Sequence, residues 1–412
     1  MNVSMSKIKL LVVFLQFLVI TNAHAQSDAL RIYIDADFSN SPESSVSIER
    51  GLQVALSFAN HTLLGRPVEI VRKDHRGNSA RSYRHIKQYL EDPAALLIVS
   101  GSHSPPLLTH RDYINEHGVL YLVPWAAAGP ITRYPSAENW IFRLSVDDTK
   151  AGHLIISFAV REKGFKRPFL LLERTGWGRS NEKTMAAAMQ KLGVESFGIN
   201  RFDWDLKERG ARAIIKQAID ERSDVIVLVG NAIESSTFAR ALAAQPENER
   251  LPLLSHWGIT AGDFEKNVSH EDRTKIDLHF IQTGFSFINR ALDPFESKVF
   301  NRAKREYPDI KTPKDISSPT GFIHAHDLGL LLVEAATQVS PDVSIEKARD
   351  KLRVALENIT TPVRGLVKTY KQPFSVFSEG NPDAHEALGI NEFVMAQYGR
   401  EGEITINDWR RE

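Results

Sequence analysis

What most constrains this chain is an alternation of strand and helix patterns that it runs through twice. Leu30–Asp37 (LRIYIDAD) alternates apolar and polar residues, as a half-buried strand does. Glu49–Asn60 has a helical period, and Gly65 with Pro67 leads into a strand at Val68–Lys73. A helix around Arg81–Leu90, a buried strand Ala95–Gly101, a helix after Ser104 and a strand Val119–Pro124 follow. The second half keeps the rhythm, with helices around Thr149–Glu162, Asn181–Leu192, Ala211–Glu221 and Glu234–Ala244. Strands at Pro168–Leu172, Glu195–Phe202, Asp224–Gly230 and Leu251–Ser255 alternate with them. Strands separated by helices of ten to fifteen residues imply right-handed βαβ units and parallel sheets. Two stretches echo one another. Ala80–Gly101 and Ala211–Asn231 each carry Ile-Lys-Gln on a helix that leads into an aliphatic strand. The fold class expected is α/β, with parallel sheets in two equivalent lobes.

Composition narrows the function. At 412 residues the chain is long enough for two large lobes with real cores. Its 51 Lys and Arg balance 51 Asp and Glu, so it lacks the basic footprint of a nucleic-acid binder. It has no Cys, which removes disulfide frameworks, thiolate metal sites and Cys nucleophiles. At the N-terminus, Lys7 and Lys9 precede the apolar run Leu10–Ile20, and Ala23-His24-Ala25 follows. That is the layout of a secretory signal peptide, here residues 1–25. Cleavage there removes two lysines and no acid, leaving a mature net charge of −2. Without Cys at the cleavage site a lipid anchor cannot form, and a free protein of the bacterial periplasm is expected.

In open parallel sheets ligands bind outside the carboxyl ends of the strands, so the residues there are the candidates. After Gly101 come Ser102 and Ser104, the latter read as a helix N-cap followed by Pro105. Beyond Pro124 lie Trp125, Ala126 and Ala127; beyond Leu172, the Gly-flanked Trp177; beyond Gly230, Asn231; beyond Ser255, His256 and Trp257. Three of the six tryptophans thus fall at strand ends, which favours an aromatic-walled pocket for a small ligand, though each ring by itself equally suits packing. Catalytic motifs fail one by one. Gly176–Asn181 misses the last glycine of a dinucleotide loop, and Lys183-Thr184 lacks the glycines of a P-loop. His324 and His326 diverge on a helix, Asp147-Asp148 reads as capping, and the other histidines are scattered. Neither an enzyme, nor a cofactor, nor a metal site is expected.

The order of segments resembles a type I periplasmic binding protein of the group that includes the Leu/Ile/Val-binding proteins of ABC importers. The resemblance runs from about Leu30 to Ile404. It is carried by Arg50–Ala55, Leu64–Ile70, Ile98–Gly101 before Ser104, Gly118–Ala127, Phe142-Arg143 before Asp147-Asp148, Gly176–Gly178 and Asp224–Gly230. It implies an α/β fold of two doubly wound parallel-sheet lobes joined by three crossovers, near Phe142–Val146, near Gln282–Phe287 and after Thr361. Lobe 1 would comprise residues 26–144 and 286–361, and lobe 2 residues 145–285 and 362–412. By resemblance, Ser102, Ser104 and Trp125–Ala127 meet the ligand from lobe 1, with Trp177, Asn231 and Trp257 from lobe 2. The family's acidic partner for an α-ammonium falls at Trp257, and a common hydroxyl residue falls at Ala127. These departures turn the expectation from a branched-chain amino acid toward an aromatic, amide or other small organic ligand. The implied partner is an ABC permease in the inner membrane, or alternatively a membrane sensor (kinase or cyclase); a secreted hydrolase is the remaining rival. The carrier is expected to be a monomer.

Overall fold

The computed structural model describes residues 29–288 and 290–406. The segment read as a signal peptide, residues 1–25, lies outside them. Among the described residues no helix is long and apolar enough to cross a membrane.

Six strands build the first sheet: β1 (Leu30–Ala36), β2 (Thr62–Leu63), β3 (Arg66–Asp74), β4 (Ala95–Ser100), β5 (Tyr121–Val123) and β6 (Ile141–Arg143). Their spatial order is β2-β3-β1-β4-β5-β6, all parallel except the short β2–β3 pair. The second sheet holds β7 (Pro168–Glu173), β8 (Gly198–Phe202), β9 (Val225–Val229), β10 (Leu253–Ser255) and β11 (Leu278–Thr283). A hairpin-like strand pair, β12 (Val363–Arg364) and β13 (Thr369–Tyr370), stands apart from both sheets. Late in the chain β14 (Phe393–Tyr398) and β15 (Ile404–Ile406) join the second sheet antiparallel at its β11 edge. Its order is β15-β14-β11-β10-β9-β7-β8.

Both sheets are therefore wound alike. In each, the second long strand lies to one side of the first and the third to the other, which makes a topological switch point between β1 and β4 and between β7 and β9. The sequence echo is the chemical trace of this. Helices Ser79–Glu91 and Glu208–Asp220 lead into β4 and β9, the strands that flank the first strand of each sheet. Both β4 (ALLIVS) and β9 (VIVLV) are buried at every position, because helices cover both faces of a parallel sheet.

Helix Pro42–Ser57 starts seven residues before the expected Glu49, with Pro42 supplying a pre-set first turn. It runs so close to helix Pro319–Thr337 that a Cβ on Gly51 would stand 2.2 Å from the Phe322 carbonyl oxygen. Helix Ile345–Glu357 packs on the first sheet, where Arg349 donates to the Ala95 carbonyl at β4. The return to the second sheet comes later than Thr361. The turn after β12 is pinned by buried Asp327, which accepts from the Leu366 and Val367 amides and the Tyr370 hydroxyl (2.7, 2.9 and 2.9 Å). Phe374 and His385 then pack on Phe142, and β6 exchanges main-chain bonds with His385 and Ala387. Residues 363–388, expected in lobe 2, thus lie on the first sheet, and the chain crosses between Leu388 and Phe393. The pull is a buried carboxylate needing donors and an aromatic ring needing cover.

At the hinge, His324 Nδ1 lies 2.9 Å from the Pro124 carbonyl oxygen and its Nε2 lies 2.7 Å from Thr283 Oγ1. Thr320 donates to Gln282 Oε1 at 2.7 Å beside it. One helix so ties the end of β5 to the end of β11.

Candidate ligand-binding cleft

The carboxyl ends of the two sheets face each other. Trp204, two residues beyond β8, rests on His103 of the first lobe with ring centres 5.5 Å apart. The same indole faces Gly77, where a Cβ would lie 3.1 Å from it. The Gly129 amide reaches Ser180 Oγ (3.4 Å) across the gap. The lobes therefore touch, and the residues between them are largely enclosed.

On the first-lobe side, His103 rather than Ser104 holds the N-cap position of helix Ser104–Glu116, without a side-chain capping bond, and Ser104 takes the first helical position. Ser104 Oγ accepts from the Ala128 amide (3.2 Å). Pro105 and Pro106 carry no N–H, so this helix start offers fewer donors to an anion than a capped N-terminus ordinarily does. Ser102, half-buried, shares a hydrogen bond with Ser44 (3.2 Å). Trp125, Ala126 and Ala127 are buried, and their carbonyls are all engaged. Ser145 donates to Trp125 (3.1 Å), Arg143 to Ala126 (3.3 Å) and the Asp148 amide to Ala127 (2.9 Å). Arg143, fully buried, also holds the Ala128 carbonyl (2.9 Å) and Glu386 (2.5 Å). Asp147, Asp383 and Glu386 cluster here as a candidate cation site, but Arg133, Arg143 and Lys150 neutralise them.

The second-lobe side is richer in unspent polarity. Asp147 caps helix Asp148–Ser157 by accepting from the Lys150 amide, as the sequence reading has it. Asp148 does something else. It is fully buried, and its Oδ1 accepts from Trp177 Nε1 (3.0 Å) and Asn181 Nδ2 (2.8 Å). His256 Nε2 stands 3.4 Å from that oxygen, while His256 Nδ1 takes the Trp257 amide. Asp148 Oδ2, Asn181 Oδ1 and His256 Nε2 have no hydrogen-bond partner. Such groups are costly to bury unmet, so a polar ligand atom has a place to gain. Nearby, buried Glu173 ends β7 at the switch point and gathers Thr175 Oγ1 (2.5 Å), Trp204 Nε1 (3.1 Å) and Asn231 Nδ2 (3.2 Å). Burial pushes its pKa up to about 7; the Thr175 and Trp204 hydrogen bonds offset part of that, and the charges of Glu234 and Asp148 add to it.

The structure brings Trp177 and Asn231 into these two networks. Trp257, only 1% exposed, packs among His256, His324 and Phe393 at the hinge, and Trp125 packs under helix Pro319–Thr337 near Gly321. The sequence reading missed Asp148, Trp204 and Glu173 as cleft residues, and it placed His256 at a strand end without giving it a role in the site. Their common signal was position: each lies at or within two residues of a strand's carboxyl end or opens a helix at a crossover. A cavity of about 130 Å³ opens on another side, between Phe285, Phe287, Ile323 and Tyr398, and none of the expected site residues lines it.

A periplasmic binding protein family matches residues 36–265. The chain belongs to that family. No curated protein is significantly similar to it in sequence. Among solved structures, a type 1 periplasmic binding protein from Bordetella pertussis is 18% identical, covering 92% of this chain and 100% of that one, with a TM-score of 0.74. A leucine-binding protein from Thermotoga maritima is 17% identical, covering 92% and 98%, with a TM-score of 0.73. An ABC transporter solute-binding protein from R. palustris, in complex with 4-hydroxybenzoate, is 13% identical, covering 92% and 96%, with a TM-score of 0.74. The type I binding-protein fold expected from the resemblance is thus the fold of this periplasmic binding protein.

Proposed function

We propose that the protein is a periplasmic solute-binding protein of an ABC importer, not an enzyme, that captures a small organic ligand between its lobes. The ligand class we infer is an amino acid or a related aromatic or amide compound. One observation carries the reading: at the junction of two facing, equivalently wound lobes lies a buried carboxylate, Asp148, with one oxygen unmet. It stands beside the indole of Trp177 and the imidazole of His256. Such a nest suits a ligand donor group, an ammonium above all, because a charge-assisted hydrogen bond is about twice as strong as a neutral one. Asp148 supplies an anionic acceptor, which the site expected from the sequence lacked, and it restores amino acids to the ligand class that Trp257 disfavours.

Ser102, Ser104, Trp125, Ala126 and Ala127 form the first-lobe wall of the proposed site, with Trp177, Asn231 and Trp257 opposite. Ligand contacts to both walls favour the closed population, which is the form a permease in the inner membrane would recognise. The compared transport proteins include a leucine-binding protein and a solute-binding protein in complex with 4-hydroxybenzoate, and these two solutes bracket this ligand range.

The test is a thermal-shift screen over amino acids, aromatic acids, amides and quaternary amines, since a ligand of the native state raises stability by mass action. Ser104→Ala and Trp257→Ala are each expected to weaken the resulting hit. Asp148→Asn is expected to weaken a cationic hit by about tenfold or more. Unchanged affinity in all three variants overturns the site, and recovery of a chemically altered ligand with turnover overturns the carrier role.

A further inference from the structure

Three potential metal-ligand side chains from distant parts of the chain meet at the carboxyl edge of the first sheet. Asp37 follows β1, His75 follows β3 and His103 lies just beyond β4. All three residues are buried, and one donor atom of each lies within 4.8 Å of the other two. The two imidazole centres are 5.8 Å apart. His103 Nδ1 is enclosed without any hydrogen-bond partner, the mark of a group built to bond something the protein does not supply. The indole of Trp204 from the opposite lobe lies tilted against His103, so the cluster belongs to the interlobe surface rather than to the interior of one lobe.

We propose that Asp37, His75 and His103 bind a divalent transition-metal ion of the zinc, nickel or copper class on the first-lobe wall of the cleft. Two imidazoles with one carboxylate and no thiolate suit those ions better than calcium or magnesium, which prefer oxygen ligands alone. Three protein ligands leave at least one coordination position open for water or for a donor atom of a solute. Asp37 retains lone pairs for the ion. Its Oδ1 accepts from the Asn40 amide and Nδ2 (2.8 and 3.2 Å), and its Oδ2 accepts from Nδ2 alone (3.1 Å).

The ion also has a defined competitor. The Gly77 amide donates to His75 Nδ1 (3.0 Å). A metal on Nδ1 displaces that amide directly. A metal on Nε2 moves the proton of the neutral ring to Nδ1 and expels the amide all the same. Occupancy therefore frees the Gly77 amide whichever nitrogen ligates. The acidic cluster at Asp147, Asp383 and Glu386 offers no comparable vacancy, since three cations already fill it.

The proposal stands apart from the identity of the organic solute, and its test uses the metal alone. Chelator-treated protein is titrated with Zn²⁺ by calorimetry, and the peptide spanning residues 74–78 is followed by hydrogen exchange with and without Zn²⁺. One equivalent is expected to bind, with at least about tenfold weaker binding in His103→Gln and in Asp37→Asn, and with unchanged binding in His117→Gln. Exchange at 74–78 is expected to rise on binding. Absence of saturable binding at one equivalent, equal affinity in His103→Gln and Asp37→Asn, or unaltered exchange at 74–78 overturns the assignment. Asp37→Asn keeps the side-chain shape, so it stands as the test should His103→Gln fail to fold.

Discussion

The ionisation of Glu173 gives the fold a stability that depends on pH in an unusual direction. Its carboxyl is 1% exposed, and burial raises its pKa from the ordinary 4.5 to about 7. A raised folded-state value means the contribution is complete below about pH 4.5 and is lost as the pH climbs through about 7. At 1.36 kcal/mol for each pH unit of separation, the charged form costs the native state about 3 kcal/mol by pH 8. Glu173→Gln removes the titration and keeps the contacts. An amide oxygen can accept from Trp204 and Asn231 as the carboxylate does, while the amide nitrogen donates to Thr175 Oγ1. Urea unfolding followed by far-UV circular dichroism at pH 5, 6, 7 and 8 reads the effect. The stability of Glu173→Gln relative to the parent is expected to improve by about 2.5 kcal/mol between pH 5 and pH 8, mostly between pH 5 and 7. Parallel profiles that differ by less than about 1 kcal/mol across that span would refute the reasoning, since Glu173 would then titrate as an ordinary carboxyl.

Two further substitutions probe how the cleft is held. Arg143→Met strands Glu386 and frees the carbonyls of Ala126 and Ala128. Breaking a buried pair costs about 3–5 kcal/mol, and because Lys150 stays 2.9 Å from Glu386 the lower end is expected in urea unfolding. In Gly258→Ala the new Cβ would stand 2.4 Å from the Gly230 carbonyl oxygen and 2.8 Å from the Trp177 ring. An overpacking loss of about 1–3 kcal/mol is expected, with a changed near-UV signal as Trp177 is pushed from Asp148.

Much of the architecture was legible because parallel strands buried on both faces have a plain signature. The runs at Ala95–Ser100 and Val225–Val229 are continuous and apolar, and the helices that lead into them carry the same Ile-Lys-Gln triplet. The third crossover was not legible. What holds residues 363–388 on the first sheet is Asp327, which lies inside an apolar helix and says nothing in sequence about which loop will supply its donors. Asp148 hid for a related reason. Two adjacent acids at a helix start both look like caps, and only packing against Trp177 and Asn181 separates the cap from the cleft carboxylate.

Sequence alone, then, determined the alternating architecture of parallel sheets and covering helices, since local periodicity and burial on both faces of a strand leave few alternatives open. It also pointed to strand ends as the place to search. The tertiary structure decided which side chains meet there. Asp37, His75 and His103 come from three separate βα units, and Glu173 meets Trp204 and Asn231 across adjacent strands. Those encounters follow from strand order, not from chain order. Desolvation, which leaves Asp148 Oδ2 and His103 Nδ1 unmet and lifts the Glu173 pKa, exists only once the lobes enclose them.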